Sequence, residues 1–113
     1  MDKDMIAAAS FYKRARYFNE RYSGLPTAVR DEVTAMCAVA AESVRGVIAL
    51  GFYADGTVFV EANGAEDDFN YDEIGARLLI DGLMEEKKEM FRALQLWYAA
   101  FMTDEGKEIL QGK

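Results

Sequence analysis

The chain has 113 residues, 51% of them apolar, and its 20 acidic against 13 basic side chains give a formal charge of −7. That length suits one domain, residues 1–113, burying about two-thirds of the surface its unfolded form exposes, and apolar residues spread along the whole chain argue against disorder. The negative balance repels phosphate backbones and argues against nucleic acid or an anionic membrane as partner.

Ala8, Phe11, Tyr12, Ala15, Phe18 and Tyr22 fall at helical spacing, which predicts a first helix from about Asp4 to Phe18. Ser23-Gly24-Leu25-Pro26 ends that segment. Pro26 suits the first position of a second helix, whose buried stripe is Val29, Val33, Met36, Cys37, Ala40 and Val44. Gly46 is placed to end it in a left-handed conformation. From Val47 the period changes to two. Ile48, Leu50 and Phe52, then Val58, Val60 and Ala62, alternate with smaller or more polar residues around Asp55-Gly56, which predicts a β-hairpin closed either by a two-residue turn or with Gly56 in a bulge. A lone hairpin is marginal, so helices across its apolar face and strand pairing from another subunit are expected.

After an acidic connection to Asn70, the spacing of Ile80, Leu83, Lys87, Met90, Leu94, Trp97 and Phe101 predicts one long amphipathic helix from about Asp72 to Met102. Unbroken, it would measure roughly 46 Å, whereas a compact chain of this size has a radius of gyration near ~13 Å. The surplus stripe, with Trp97, Tyr98 and Phe101, then needs cover, most simply from a second copy of the chain. Gly75 and Gly82 weaken the helix by roughly 1 kcal/mol each, and Gly82 is where a break would be expected. Residues 103–113 read as a short polar tail. The fold expected is α+β in the order α-α-β-β-α, the hairpin packed on helices, with a long C-terminal helix in a homodimer.

Histidine is absent, which removes the commonest general base and metal ligand. Cys37 lies on an apolar stripe and reads as an inert packed thiol. Asp68-x-Asn70-x-Asp72 matches the first three ligand positions of a calcium loop, but Glu73 stands where glycine is required and Leu79 where a bidentate Glu is required. Glu85-Glu86-x-x-Glu89, followed by Glu105 and Glu108, resembles the helical carboxylates that hold magnesium in all-α nucleotide pyrophosphohydrolases. Lys87 and Lys88 inside the cluster favour a solvated charged face. No catalytic residue and no cofactor is predicted; a divalent cation at these carboxylates is the alternative, as part of a metal-dependent or small-ligand enzyme. The basic and aromatic run from Tyr12 to Phe18 reads as packing, its cations facing the acidic stretch Glu66-Asp67-Asp68. No apolar run approaches the ~18 residues of a membrane span, and Met1-Asp2-Lys3-Asp4 lacks the basic start of a signal peptide, so a cytoplasmic location is expected.

The stretches Tyr17-Phe18-Asn19, Leu25-Pro26, Met36-Cys37, Val44-Arg45-Gly46-Val47, Tyr71-Asp72-Glu73-Ile74-Gly75 and Glu86-Lys87-Lys88-Glu89-Met90-Phe91 together resemble a family of small uncharacterised proteins from Firmicutes, a domain of unknown function. The resemblance implies no chemistry. The function expected is that of a small acidic interaction or regulatory protein, a homodimer that meets a protein partner through Trp97, Tyr98 and Phe101 or the hairpin edge.

Overall fold

The computed structural model describes residues 3–65 and 67–111. It is α+β. Strands β1 (Lys3–Ser10), β2 (Ala15–Phe18), β3 (Val47–Tyr53) and β4 (Val58–Asn63) form one antiparallel sheet in the order β2-β1-β3-β4. The helices are α1 (Thr27–Val44), α2 (Glu73–Glu86), α3 (Lys88–Phe101) and α4 (Asp104–Leu110), and a single 3-10 turn covers Glu20–Tyr22.

The first expected helix, Asp4 to Phe18, is instead the β1–β2 hairpin. Alanine permits either state, and tertiary pairing overrides its helical preference. Ala7 faces Leu50 and Ala9 faces Ile48 across the β1–β3 ladder, and these small side chains lie where α1 packs on β1. The helical spacing of Phe11 and Tyr12 belongs to the loop between the strands, where Arg14 takes a left-handed conformation (φ 52°) and the Phe11 amide donates to the Gly46 carbonyl. A bulge between Met5 and Ala7 lets Ile6 and Ala7 both be buried. Asn19 satisfies its loose backbone: its amide donates to the Ile6 carbonyl at 2.7 Å and its Nδ2 to the Met5 carbonyl at 2.7 Å.

The expected cover for the β3–β4 hairpin therefore comes from the chain itself, since β1 pairs the free edge of β3. Its turn is the bulged alternative. The Gly56 amide donates to Tyr53, the Tyr53 amide to Thr57, and Gly56 has φ 88°.

From Thr27 onward the expected succession of helix, two strands and helix is present. Pro26 stands at the cap of α1. The left-handed residue at its other end is Arg45 (φ 55°), not Gly46. Gly46 is required for space, because a Cβ there would lie 2.6 Å from the Asn63 carbonyl oxygen and 2.7 Å from the Tyr71 ring. The long helix is interrupted at Lys87, not at Gly82. Lys87 has φ −104° and ψ 19° while its amide still bonds Leu83 and its carbonyl still accepts from Phe91, so the break is a one-residue kink and not a reversal. Its ammonium reaches Glu32 on α1 at 3.4 Å. Beyond the kink, α3 buries Met90, Phe91 and Leu94.

Residues 104–110 of the expected tail are α4. Thr103 accepts from the Gly106 amide, and Gly106 is pressed against the last turn of α3, where a Cβ would meet the Ala99 carbonyl oxygen at 2.0 Å.

Ala7, Ala9, Ile48, Leu50, Phe52 and Val58 share the sheet face that meets the helices, and with Val33, Met36, Cys37, Phe91 and Leu94 they make the core. On the other face the Phe59 ring lies across Gly51 with the Lys3 ammonium above it. The molecule measures 55 × 25 × 23 Å with a radius of gyration of 15.1 Å, so the helices lengthen the whole body instead of projecting from a compact one.

Candidate functional site

Three regions hold the residues singled out in the sequence, and the structure gives each a different employment. At one end of the molecule, Trp97 packs edge-on against Tyr22 (6.0 Å between ring centroids) and beside Phe101 (5.4 Å). Tyr98 packs on Phe52 at 4.7 Å, covers Gly56 and donates its hydroxyl to the Ala54 carbonyl at 3.2 Å. Trp97 and Tyr98 thus spend much of their surface closing the core over the β3–β4 turn. Phe101 is 48% exposed and is the open member of the three. Tyr22 donates to Asp4, and burial raises its phenol well above the ordinary tyrosine range.

At the opposite end, the carboxylates of the calcium-like stretch serve the backbone. Asp68 accepts from the Tyr12 hydroxyl at 2.9 Å and from the Asn70 amide at 3.0 Å, while Asp72 caps α2 by accepting from the Gly75 amide at 2.9 Å. Of the cations in the run from Tyr12 to Phe18, Arg14 lies 3.6 Å from Glu42, and it is Tyr12 that reaches Asp68. Glu66 lies outside the described residues. Tyr71 is wedged between Gly46 and Gly64, each of which would put a Cβ less than 3 Å from its ring. Its hydroxyl is buried without a partner among the described residues, and burial raises its pKa. The order Tyr71-Asp72-Glu73-Ile74-Gly75 is thereby explained as a wedge, a cap and a glycine that makes room for the capping carboxylate.

The third region is the charged stretch around the kink. Glu85 pairs with Lys88 at 3.3 Å, Glu86 borders a groove between α1 and α2, and Glu89 opens α3. Glu105 and Glu108 follow on α4, with the rest of α3 from Met90 to Phe101, roughly 18 Å of helix, standing between the two sets. Among the described residues, no three of the His, Cys, Asp and Glu side chains are grouped closely enough to hold a metal ion. Cys37 is 1% exposed, and burial pushes its thiol up to about 12, which leaves it unreactive in the folded state.

The surface that sequence reasoning missed is α2. Only Ala76 of its 14 residues is buried, while Ile74 is 77% exposed and Leu78 is 66% exposed. Phe69, just before the helix, is 95% exposed. Behind this row, Leu79 and Leu83 line a groove of about 380 Å³ against Met36 and the exposed Val39 of α1. Exposed apolar side chains grouped on one element are the raw material of an interaction site. The signal was present in the spacing of Ile74, Leu78 and Gly82, four residues apart, but the stronger stripe beginning at Ile80 drew the reading toward α3.

Among the described residues, no helix is long and apolar enough to cross a membrane. No curated protein and no solved structure matches the chain. A family model does match, over residues 3–106, and by that match the chain belongs to DUF6145, a family of unknown function.

Proposed function

We propose that this is a small interaction or regulatory protein of the cytoplasm, acting as a homodimer through an apolar surface and without a catalytic centre of its own. The observation that carries this reading is α2, a helix with six large apolar side chains in 14 residues that buries none of them fully within its own chain. An element so poorly covered is stabilised chiefly by what packs on it, and a partner surface is the simplest cover. Of the carboxylates a metal enzyme would draw on, Asp72 caps a helix, Asp68 receives a hydroxyl and Glu85 is in an ion pair. A free, buried Cys37 suits a reducing compartment.

The deciding experiment is absolute mass by light scattering after size exclusion, over a hundredfold range of concentration. A dimer that persists on dilution supports the reading. A monomer throughout removes the homodimer from it and leaves a single copy waiting for a different protein.

A further inference from the structure

We propose that the solvent face of α2 is a self-complementary contact for a second copy of this chain, with two α2 helices packed antiparallel about a two-fold axis near Leu78. The inference rests on the homodimer reading above and names its surface.

Ile74, Leu78 and Gly82 are successive members of one i+4 ridge, the kind of row that interdigitates when helices pack. When a copy of the helix is reversed about Leu78, Leu78 meets its counterpart and Ile74 of each copy falls opposite Gly82 of the other. A large side chain then meets a position with none. Gly82 leaves room for it, because a Cβ there would find nothing within 4 Å. The chain therefore carries a mid-helix glycine, destabilising by roughly 1 kcal/mol, with no close neighbour in its own fold that requires it. Close approach of a second helix supplies the requirement.

The charges agree. Arg77 and Asp81 lie one turn apart beside the ridge, both exposed, and neither is in an ion pair among the described residues. In an antiparallel pair related by a two-fold, residues on one flank of a helix meet the same flank of its copy. Arg77 of each copy then lies two residues, about 3 Å of helix rise, from the level of Asp81 of the other, an offset that an arginine side chain spans to give two symmetric ion pairs. The other flank is the groove lined by Val39, Leu79 and Leu83, which continues the apolar contact onto α1. Glu85, the next acidic residue along the face, is already neutralised by Lys88.

The test is light scattering on the full chain and on four variants: Leu78→Asp, Gly82→Leu, Arg77→Asp, and the double exchange Arg77→Asp with Asp81→Arg. Circular dichroism and melting at low concentration verify folding. Every altered side chain is exposed, and Gly82→Leu raises helix propensity, so loss of the dimer by that variant cannot be assigned to a weakened helix. The expected result is a dimer for the natural chain and for the double exchange. Leu78→Asp and Gly82→Leu should be monomers, and Arg77→Asp should dissociate at least tenfold more readily. If the natural chain is a dimer and all four variants dimerise equally well, the α2 contact is wrong while the homodimer stands, and the interface must be sought at Phe101 or the sheet. If the natural chain is a monomer at every concentration, the homodimer and its α2 contact fall together.

Discussion

Cys37 and Tyr22 are both held in the core with their protonated forms favoured. The Cys37 thiol moves from an ordinary value of 9.0 to about 12, and the Tyr22 phenol shifts in the same direction. A raised folded-state value means that the stability these groups contribute is complete below their unfolded values. It is lost as pH climbs toward the folded ones, because the unfolded chain then releases protons that the folded chain retains. Denaturant midpoints should therefore be unaffected by these two groups from neutral pH to about pH 8.5 and fall above it, and Cys37→Ala should flatten part of that decline. In the folded protein the thiol should resist a disulfide reagent and react fully in denaturant. Two neighbouring tyrosines should behave in opposite ways. Tyr12 donates to Asp68 and accepts from the Ala65 amide, so Tyr12→Phe should destabilise the fold. Tyr71 buries a hydroxyl that meets no partner among the described residues, so Tyr71→Phe should be neutral or stabilising by up to about 1 kcal/mol. Equal losses from both substitutions would overturn this account of the loop. Gly46→Ala is expected to destabilise by more than about 1 kcal/mol in the same melts, because the obstructing atom is the backbone carbonyl oxygen of Asn63, which cannot swing aside.

Among the elements, α2 and α4 depend most on their caps. Asp72→Ala removes the side chain that receives the Gly75 amide and should cost about 1 kcal/mol. Thr103→Ala should free α4 from the end of α3 with little effect on the sheet, visible as amide exchange limited to residues 103–111. Among the described residues, no three acidic side chains are grouped closely enough to hold a cation. Melting in calcium, magnesium or manganese is expected to match melting without them, whereas an ion present at a hundred times its dissociation constant would add about 2.7 kcal/mol. Legibility of these elements in the sequence followed locality. The β3–β4 hairpin was readable because alternation and Asp55-Gly56 are short-range signals, and α1 because its stripe and its start at Pro26 agree. The first segment was misread because Ala7-Ala8-Ala9 carries no preference strong enough to resist pairing with β3, a partner some forty residues away. The kink at Lys87 was invisible for a similar reason, since it coincides with a contact to Glu32 on another helix.

For the whole molecule, the expectation that the long helix would outgrow a compact body gave way to an elongated body, 55 Å in its longest dimension. At the aromatic end Trp97 and Tyr98 pack on the chain's own Tyr22, Phe52 and Gly56, while Phe101, with Leu96, Ile109 and Leu110, stays open, and α2 carries a further uncovered apolar surface. That division could not be read from spacing, because Trp97 and Ile74 are equally apolar in the sequence and differ only in what folds against them. Small-angle scattering on a monomeric variant should return a radius of gyration near the 15.1 Å of the backbone, slightly larger for hydration, and the α2-paired dimer a markedly larger one.

The position of Trp97 has an optical consequence. It is the one tryptophan of the chain and stands where α3 meets the turn that carries Tyr22, with Gly24 beneath its ring and Phe101 at its side. Its emission therefore reports on the seating of α3 and on little else. If α3 lifts before the sheet opens, the emission will redden while the far-ultraviolet dichroism of the strands persists, and the molecule will have announced, without any label, the order in which it comes apart.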